Sequence, residues 1–531
     1  MSIFIHYQPY SMKREAIIAN VQQRTQPWDV VVIGGGATGL GAALEAVTRG
    51  YRTLLLEQAD FAKSTSGKST KLVHGGVRYL AEGDVALVRE ASIERGRLLR
   101  NAPHLVRNLS FVIPVFSWWE SLKYTIGLKL YDRMAGRLSL GPSQHISKRE
   151  TLQRLSTLES KGLNGGVLYH DGQFDDTRLA INLAQTIREK GGTVLNYVRV
   201  TAICKDAKGR ITGIRAQDTI GGMPLQVAAR AVINATGVFT DDILQLDNPG
   251  ARKSVVASQG VHLVLDASFL PGQHALMIPK TSDGRVLFIV PWHDKVVAGT
   301  TDTPVNYITL EPHALEQEIS FILNTAGQYL QRRPERKDVL SVWAGLRPLA
   351  APEEEGQKTK EISRNHKIMV SPSGLVSIIG GKWTTYRRMA EDVILQMEKT
   401  LGWTSTTSVT HDMPLHGASQ ADWNDPWYYY GSDAAAIRNM ISAQPVLQEL
   451  LSASLHIRRA QVIWAVQHEM ACNVEDFLAR RTRALFLDAR EALRIAPVVA
   501  AIMARELQQD SGWEQRQLES FTALAKSYML S

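Results

Sequence analysis

The sequence predicts an α/β protein in three parts: a parallel-sheet layer, an antiparallel sheet that interrupts it along the chain, and a helical C-terminal region. The first is predicted by residues 29–57, where a β-branched run, a glycine turn, a small-residue helical stretch and a second apolar run follow in order. The second is predicted by short strands at 260–265, 286–290 and 295–299, separated by turn residues. The third is predicted by amphipathic stretches at 458–470, 474–487 and 492–507, with few strand signals between them.

In the opening unit Asp29, Val30, Val31, Val32 and Ile33 carry no charge after the aspartate and read as a buried strand. They run into Gly34-Gly35-Gly36-Ala37-Thr38-Gly39, then into helix-forming residues that end on Arg49-Gly50. A strand at 53–56 closes on Glu57, which completes a Rossmann-type dinucleotide-binding unit. Gly34 permits the tight turn, Gly36 lets backbone approach a pyrophosphate, and Gly39 lets helix and sheet pack closely. The helix N-terminus offers N–H groups and partial positive charge to phosphates. Glu57 is placed to accept both ribose hydroxyls and would repel a 2′-phosphate, which argues against NADP.

A chain of 531 residues has room for two or three domains and a large core. Its formal charge of +8 suits an anionic substrate, an anionic cofactor or an anionic membrane surface. No Lys/Arg tract is interleaved with aromatics, so nucleic acid is not expected as a partner. Cys204 and Cys472 are far apart and lack metal-ligand neighbours, which predicts a reducing compartment and no metal site. Residues 1–26 read as a loosely ordered extension and not as a signal peptide. No apolar run approaches the ~20 residues that a spanning helix needs; those near 111–119 and 495–503 are interrupted by Pro114 and Pro497.

The segment after Glu57 is rich in hydroxyls and glycines and contains His74, Arg78 and Tyr79. It reads as a functional loop whose backbone can hold a phosphate and the face of a ring system. Between 107 and 138, Leu122, Ile126, Leu130, Met134 and Leu138 recur every fourth position beside a basic stripe of Lys129, Arg133 and Arg137. Trp118, Trp119, Tyr124 and Tyr131 are interspersed. That is the make-up of an interfacial helix, and equally of one packed on its own protein. A helix is expected through Lys190, then a strand at 193–200, and a buried strand at 231–237 ending in small residues. The strand at 376–379 opens into Gly380-Gly381-Lys382-Trp383-Thr384-Thr385-Tyr386-Arg387, a second glycine turn at a helix start. Residues 403–426 read as polar linker.

Seven blocks in this order carry a family likeness: Gly34-x-Gly36-x-x-Gly39, the run from Lys71 through His74, Arg78 and Tyr79 to Leu80, Ala235-Thr236-Gly237, Pro291-Trp292, Gly299-Thr300-Thr301-Asp302, Gly345-Leu346-Arg347-Pro348, and the block from Gly380 to Arg387. Together they resemble the FAD-dependent glycerol-3-phosphate dehydrogenases of the respiratory type, over roughly residues 27–525. The run from Glu475 to Arg483 also resembles that family's helical C-terminal domain.

The resemblance implies an amino-acid-oxidase-like flavoprotein with a Rossmann-type FAD-binding domain, an antiparallel-sheet substrate (cap) domain and an all-helical C-terminal domain. The expected boundaries are an extension at 1–26; the FAD-binding domain at 27–103, 160–250 and 355–400; the cap at 104–159 and 251–354; and the helical domain at 401–531. It implies oxidation of glycerol 3-phosphate to dihydroxyacetone phosphate, with electrons passed to membrane quinone. Because the family is monotopic and often dimeric, it also implies contact of 118–138 with an anionic lipid surface, a place on the cytoplasmic face of the cell membrane, and a homodimer.

Carried over by position, Gly34, Gly36, Thr38, Gly39 and Glu57 would hold the ADP half of FAD. Ser64, Thr65, Ser69, Thr70 and Lys71 would line pyrophosphate and flavin, with Val200 on the adenine side and Gly237 also at the cofactor. Gly381, Lys382, Trp383 and Thr384 would lie at the flavin's pyrimidine end. The substrate positions are Thr70, His74, Arg78, Tyr79, His262, Arg347, Arg364 and Lys382. Trp383 and the residues Asn365-His366 depart from the family pattern. Arginine suits a phosphate monoester, and a neutral histidine suits removal of the C2 hydroxyl proton. His74 and His262 are both candidates for that base, His74 favoured by its place in the flavin-facing loop. Lys382 would stabilise charge on the reduced flavin. The alternatives are a soluble oxidase using oxygen and a flavin-binding scaffold without turnover.

Overall fold

The computed structural model describes residues 12–76, 85–135, 140–281, 284–351 and 366–530. Its first layer is built around the strand Trp28–Ile33, every residue of which is buried. This strand pairs in parallel with Pro224–Asn234 on one side and Thr53–Leu56 on the other. Val376–Ile379 and Thr193–Leu195 extend the sheet in parallel, and Lys367–Val370 closes one edge antiparallel. Burial on both faces explains the uninterrupted apolar runs. The helices Ala37–Thr48, Asp176–Glu189 and Tyr386–Leu401 cover the layer and share its apolar core.

The second layer is a ten-stranded sheet, almost wholly antiparallel. Val255–Asp266 pairs with Val339–Ala350 along nearly its full length and with Lys295–Gly299 on its other edge. Gly165–Phe174 pairs with Val106–Val115 over ten residue pairs and therefore belongs to this sheet. The sequence had placed 160–250 whole with the nucleotide-binding layer. The register with 106–115 decides otherwise, and only the residues after Phe174 return to the first layer.

The C-terminal region is helical, as expected, with Arg459–His468, Ala489–Glu506 and Ser511–Ser527 around a core that they share with Val264, Trp292, Val297 and Trp343 of the second sheet. Pro497 lies within the second of these and does not end it. A short hairpin, Leu450–Ser452 with Ile457–Arg458, precedes them. Residues Asp476–Arg481 form a π-helical turn whose Arg480 and Arg481 both reach Asp60, in the loop after Glu57. Lys63 in that same loop meets Glu475 at 2.8 Å. The C-terminal region is thus bolted to the nucleotide-binding loop by buried ion pairs at Asp60 and a partly exposed one at Lys63.

The N-terminal extension departs from expectation. Arg14–Gln23 is a helix with Ile17, Ile18 and Val21 in the core. Arg14 is buried against Asp218 and the Asn196 and Tyr197 carbonyls. Burial of three aliphatics and one paired guanidinium orders a segment whose composition gave no such signal.

Candidate active site

The glycine turn shows why glycine is required. Gly34 has φ +112°, and a Cβ there would lie 2.6 Å from the Ala235 carbonyl oxygen. A Cβ on Gly39 would overlap the Gly34 carbonyl, so helix and turn touch backbone to backbone. Ser66 Oγ accepts the Ala37 N–H at 2.9 Å, tying the helix start to the loop after Glu57. Glu57 accepts the N–H groups of Gly35 (2.6 Å) and Ala59 (2.8 Å). Burial nonetheless raises its pKa.

A cavity of about 580 Å³ opens along this turn and runs between the two sheets. Gly34, Gly36, Thr38 and Glu57 line it, with Ser64, Thr65, Ser69, Thr70, Val200 and Gly237. Gly381, Lys382, Trp383 and Thr384 line it from the second glycine turn. His74, His262 and Arg347 complete the wall. Residues from six separate stretches of chain therefore meet at one cleft between a parallel sheet and a cap, where small-molecule sites form. Arg78, Tyr79 and Arg364 lie outside the described residues.

Arg347 crosses Gly260, where a Cβ would collide with its guanidinium. It donates to Thr300 Oγ1 and the Thr301 carbonyl, both at 2.9 Å, and lies 3.4 Å from Asp302. Its planar donors are thereby aimed while part of the group still faces the cavity. His262 is 2 % exposed, its ring stacked on Trp343 at 4.2 Å. Burial, then Arg347 and Lys71, push its pKa well below the usual imidazole value. Trp383 donates its indole N–H to the Ser66 carbonyl at 2.8 Å, which locks the larger side chain in place.

Two expected positions differ in kind from the rest. Gly39 serves through packing and does not line the cavity. Lys71 does not line it either: its ammonium is wholly buried, 2.7 and 2.8 Å from the two Asp176 oxygens and 2.7 Å from the Gly67 carbonyl. It also lies about 5 Å from the ring centres of Trp292, Trp343 and Phe486. The family resemblance implies Lys71 beside the pyrophosphate and flavin; its ammonium is held by Asp176 and an aromatic box remote in sequence. Ser66 and Lys68 were missed. Lys68 lines the cavity and is buried against Glu311 at 2.6 Å, a partner that no local pattern announces.

Comparison with known proteins decides the family. Residues 29–387 match the family described as FAD dependent oxidoreductase, and residues 378–517 match the C-terminal domain of alpha-glycerophosphate oxidase. The human protein named glycerol-3-phosphate dehydrogenase, mitochondrial, is 39% identical over 544 residues, covering 96% of this chain and 74% of its own length. The chain belongs to the FAD-dependent glycerol-3-phosphate dehydrogenase family. A Bacillus halodurans glycerol-3-phosphate dehydrogenase complexed with FAD has the same fold, with TM-score 0.79, 28% identity and 98% of each chain covered. The L-alpha-glycerophosphate oxidase of Mycoplasma pneumoniae, at 16% identity and TM-score 0.55, shares the fold over 72% of this chain and 97% of its own.

The fold class read from the sequence is therefore borne out, and FAD is the cofactor of this glycerol-3-phosphate dehydrogenase family member. The residues present fit that group, because the turn brings the bare backbone of Gly34 and Gly36 to the cavity wall, in a conformation where the Ala235 carbonyl leaves no room for a Cβ on Gly34. No helix among the described residues is long and apolar enough to cross a membrane.

Proposed function

We propose that the protein oxidises glycerol 3-phosphate at C2 to dihydroxyacetone phosphate and delivers the electrons to a membrane quinone. The observation that carries this reading is the joining of Arg347, Lys382, His74 and His262 in one cavity with the glycine cradle. Bound FAD supplies a hydride acceptor. Gly34, Gly36, Thr38 and Glu57 would hold its ADP half, with Ser64, Thr65 and Ser69 along the pyrophosphate and Val200 and Gly237 beside the adenosine. Gly381, Lys382, Trp383 and Thr384 would border the ring system.

Arg347 binds the phosphate through paired N–H donors, joined by Arg78, Tyr79 and Arg364 on the family pattern. His74 takes the C2 hydroxyl proton, and Lys382 offsets negative charge that develops during turnover. Anaerobic addition of glycerol 3-phosphate should bleach the flavin absorbance, and glycerol should not. A yellow protein that glycerol 3-phosphate leaves unbleached would refute the reading. Prompt hydrogen peroxide formation without added acceptor would replace quinone by oxygen.

The protein would work as a peripheral enzyme on the cytoplasmic face of the cell membrane, as a homodimer. Helix Trp118–Ala135 supports the peripheral membrane contact: Trp118, Trp119, Leu122, Ile126 and Leu130 are all exposed, Ile126 to 59%. Lys123, Lys129 and Arg133 are exposed beside them. Buried Leu128 and Tyr131 anchor the opposite side, so the apolar stripe cannot fold back onto its own core. The expected positions Met134, Arg137 and Leu138 fall among side chains outside the described set.

A further inference from the structure

His262 sits in a slot built for a ring that does not move. Its strand neighbours are Gly299 on one edge and Trp343 on the other. A Cβ on Gly299 would overlap the imidazole, and the indole stacks on it within 20° of parallel. Nε2 lies 2.9 Å from Thr70 Oγ1, while Nδ1 is buried with no hydrogen-bond partner among the described residues. The ring therefore has one hydrogen bond to make and one place to make it.

That count fixes the direction of the bond. A charged imidazole carries two N–H donors, and the one at Nδ1 would be buried without an acceptor. A neutral ring protonated at Nδ1 has the same fault. A neutral ring protonated at Nε2 donates to Thr70 Oγ1 and leaves only a lone pair at Nδ1. The surrounding charges agree. Arg347 on the facing strand and Lys71 on the loop are both cationic, and Lys382 and His74 line the same cavity. The carboxylates of the adjoining elements are engaged by other cations: Asp176 by Lys71, Asp302 by Arg347, and Asp175 by Arg483.

We infer that His262 is a positioning residue and not the base: its Nε2–H occupies the Thr70 oxygen, so that the Thr70 hydroxyl hydrogen points as a donor at an oxygen of the bound substrate. This inference rests on the function proposed above. Gly299 and Trp343 hold the ring in register, and the Lys71–Asp176 pair fixes the loop that carries Thr70, with Ser69 Oγ also on Asp176 at 2.7 Å. Thr70 is then the group that touches substrate, and the proton of the C2 hydroxyl leaves by another residue.

The test uses full-length protein carrying FAD and reads anaerobic flavin reduction by glycerol 3-phosphate against pH. Thr70→Val should lower kcat/KM by about tenfold or more, with FAD content retained, and Thr70→Ser should restore most of it. His262→Gln keeps a donor near Thr70 and should retain the acidic limb of the kcat/KM profile. The Thr70→Val/His262→Gln double variant should be no worse than Thr70→Val alone. Loss of the acidic limb in His262→Gln would make His262 the base and overturn the inference. A double variant clearly worse than Thr70→Val alone would also overturn it, because His262 would then act by a route other than Thr70. Should His262→Gln not fold, His262→Asn supplies the same readout, with a retained limb expected and a lost limb overturning the inference. If the wild-type protein itself is not reduced by glycerol 3-phosphate, the proposed function fails first, which separates the two results.

Discussion

His416 offers a pH-dependent stability term whose size follows from its contacts. It lies in the 403–426 segment, between the nucleotide-binding layer and the helical region, with Nδ1 2.5 Å from Glu189 and Nε2 2.8 Å from Asp433. Burial pulls its pKa down, but the hydrogen bonds to Asp433 and Glu189 prevail and raise it to about 9. The interval from an ordinary value of about 6.5 corresponds to about 3 kcal/mol, and the remaining exposure of the ring trims this to about 2–3 kcal/mol. Because the folded-state pKa is the higher one, the stabilisation is fully present below about pH 6.5 and is lost as pH rises through about 9.

The perturbation is His416→Gln, which can bond both carboxylates but cannot carry charge. Urea unfolding of holoprotein and variant should differ by about 2–3 kcal/mol near pH 6, and the gap should close towards pH ~9.5. A gap that stays constant across this range would show that the histidine acts by shape alone and would refute the electrostatic reasoning.

Four further outcomes are expected. Arg481→Met leaves Asp60 short of its bidentate partner inside the protein, so stability should fall by about 3–5 kcal/mol and FAD should dissociate faster, read by flavin fluorescence. Adding Asp60→Asn to that variant should recover part of the loss, and no recovery would argue against an uncompensated buried charge. Gly34→Ala, at φ +112° and 2.6 Å from the Ala235 oxygen, should yield largely colourless protein. Arg347→Ala should weaken apparent substrate binding far more than FAD retention, and equal loss of both would reassign it to structure. Ile126→Glu with Leu130→Glu should abolish sedimentation with anionic vesicles while leaving flavin reduction intact; unchanged sedimentation would remove this helix from the membrane contact.

Much of the site was legible because its rules are local. The strand before Gly34, the spacing of Gly34, Gly36 and Gly39, and Glu57 at the next strand end are consequences of how one βαβ unit must be built. The Gly380-Gly381-Lys382 turn and the exposed stripe of Leu122, Ile126 and Leu130 were legible for the same reason: a turn or helix face is written in neighbouring residues.

What the sequence by itself determined is the type of each unit and the chemistry that its loops can offer. Only the tertiary structure decided which groups are free to use that chemistry. Lys71 is spent on Asp176, Ser66 holds a helix start, and Arg14 turns a polar-looking extension into a buried anchor. Gly165–Phe174 joined the cap because ten cross-strand pairs outweighed its position along the chain. The physical reason is common to all of them: burial makes a charge or an N–H seek whatever partner the fold brings within about 3 Å, and sequence distance places no limit on where that partner comes from.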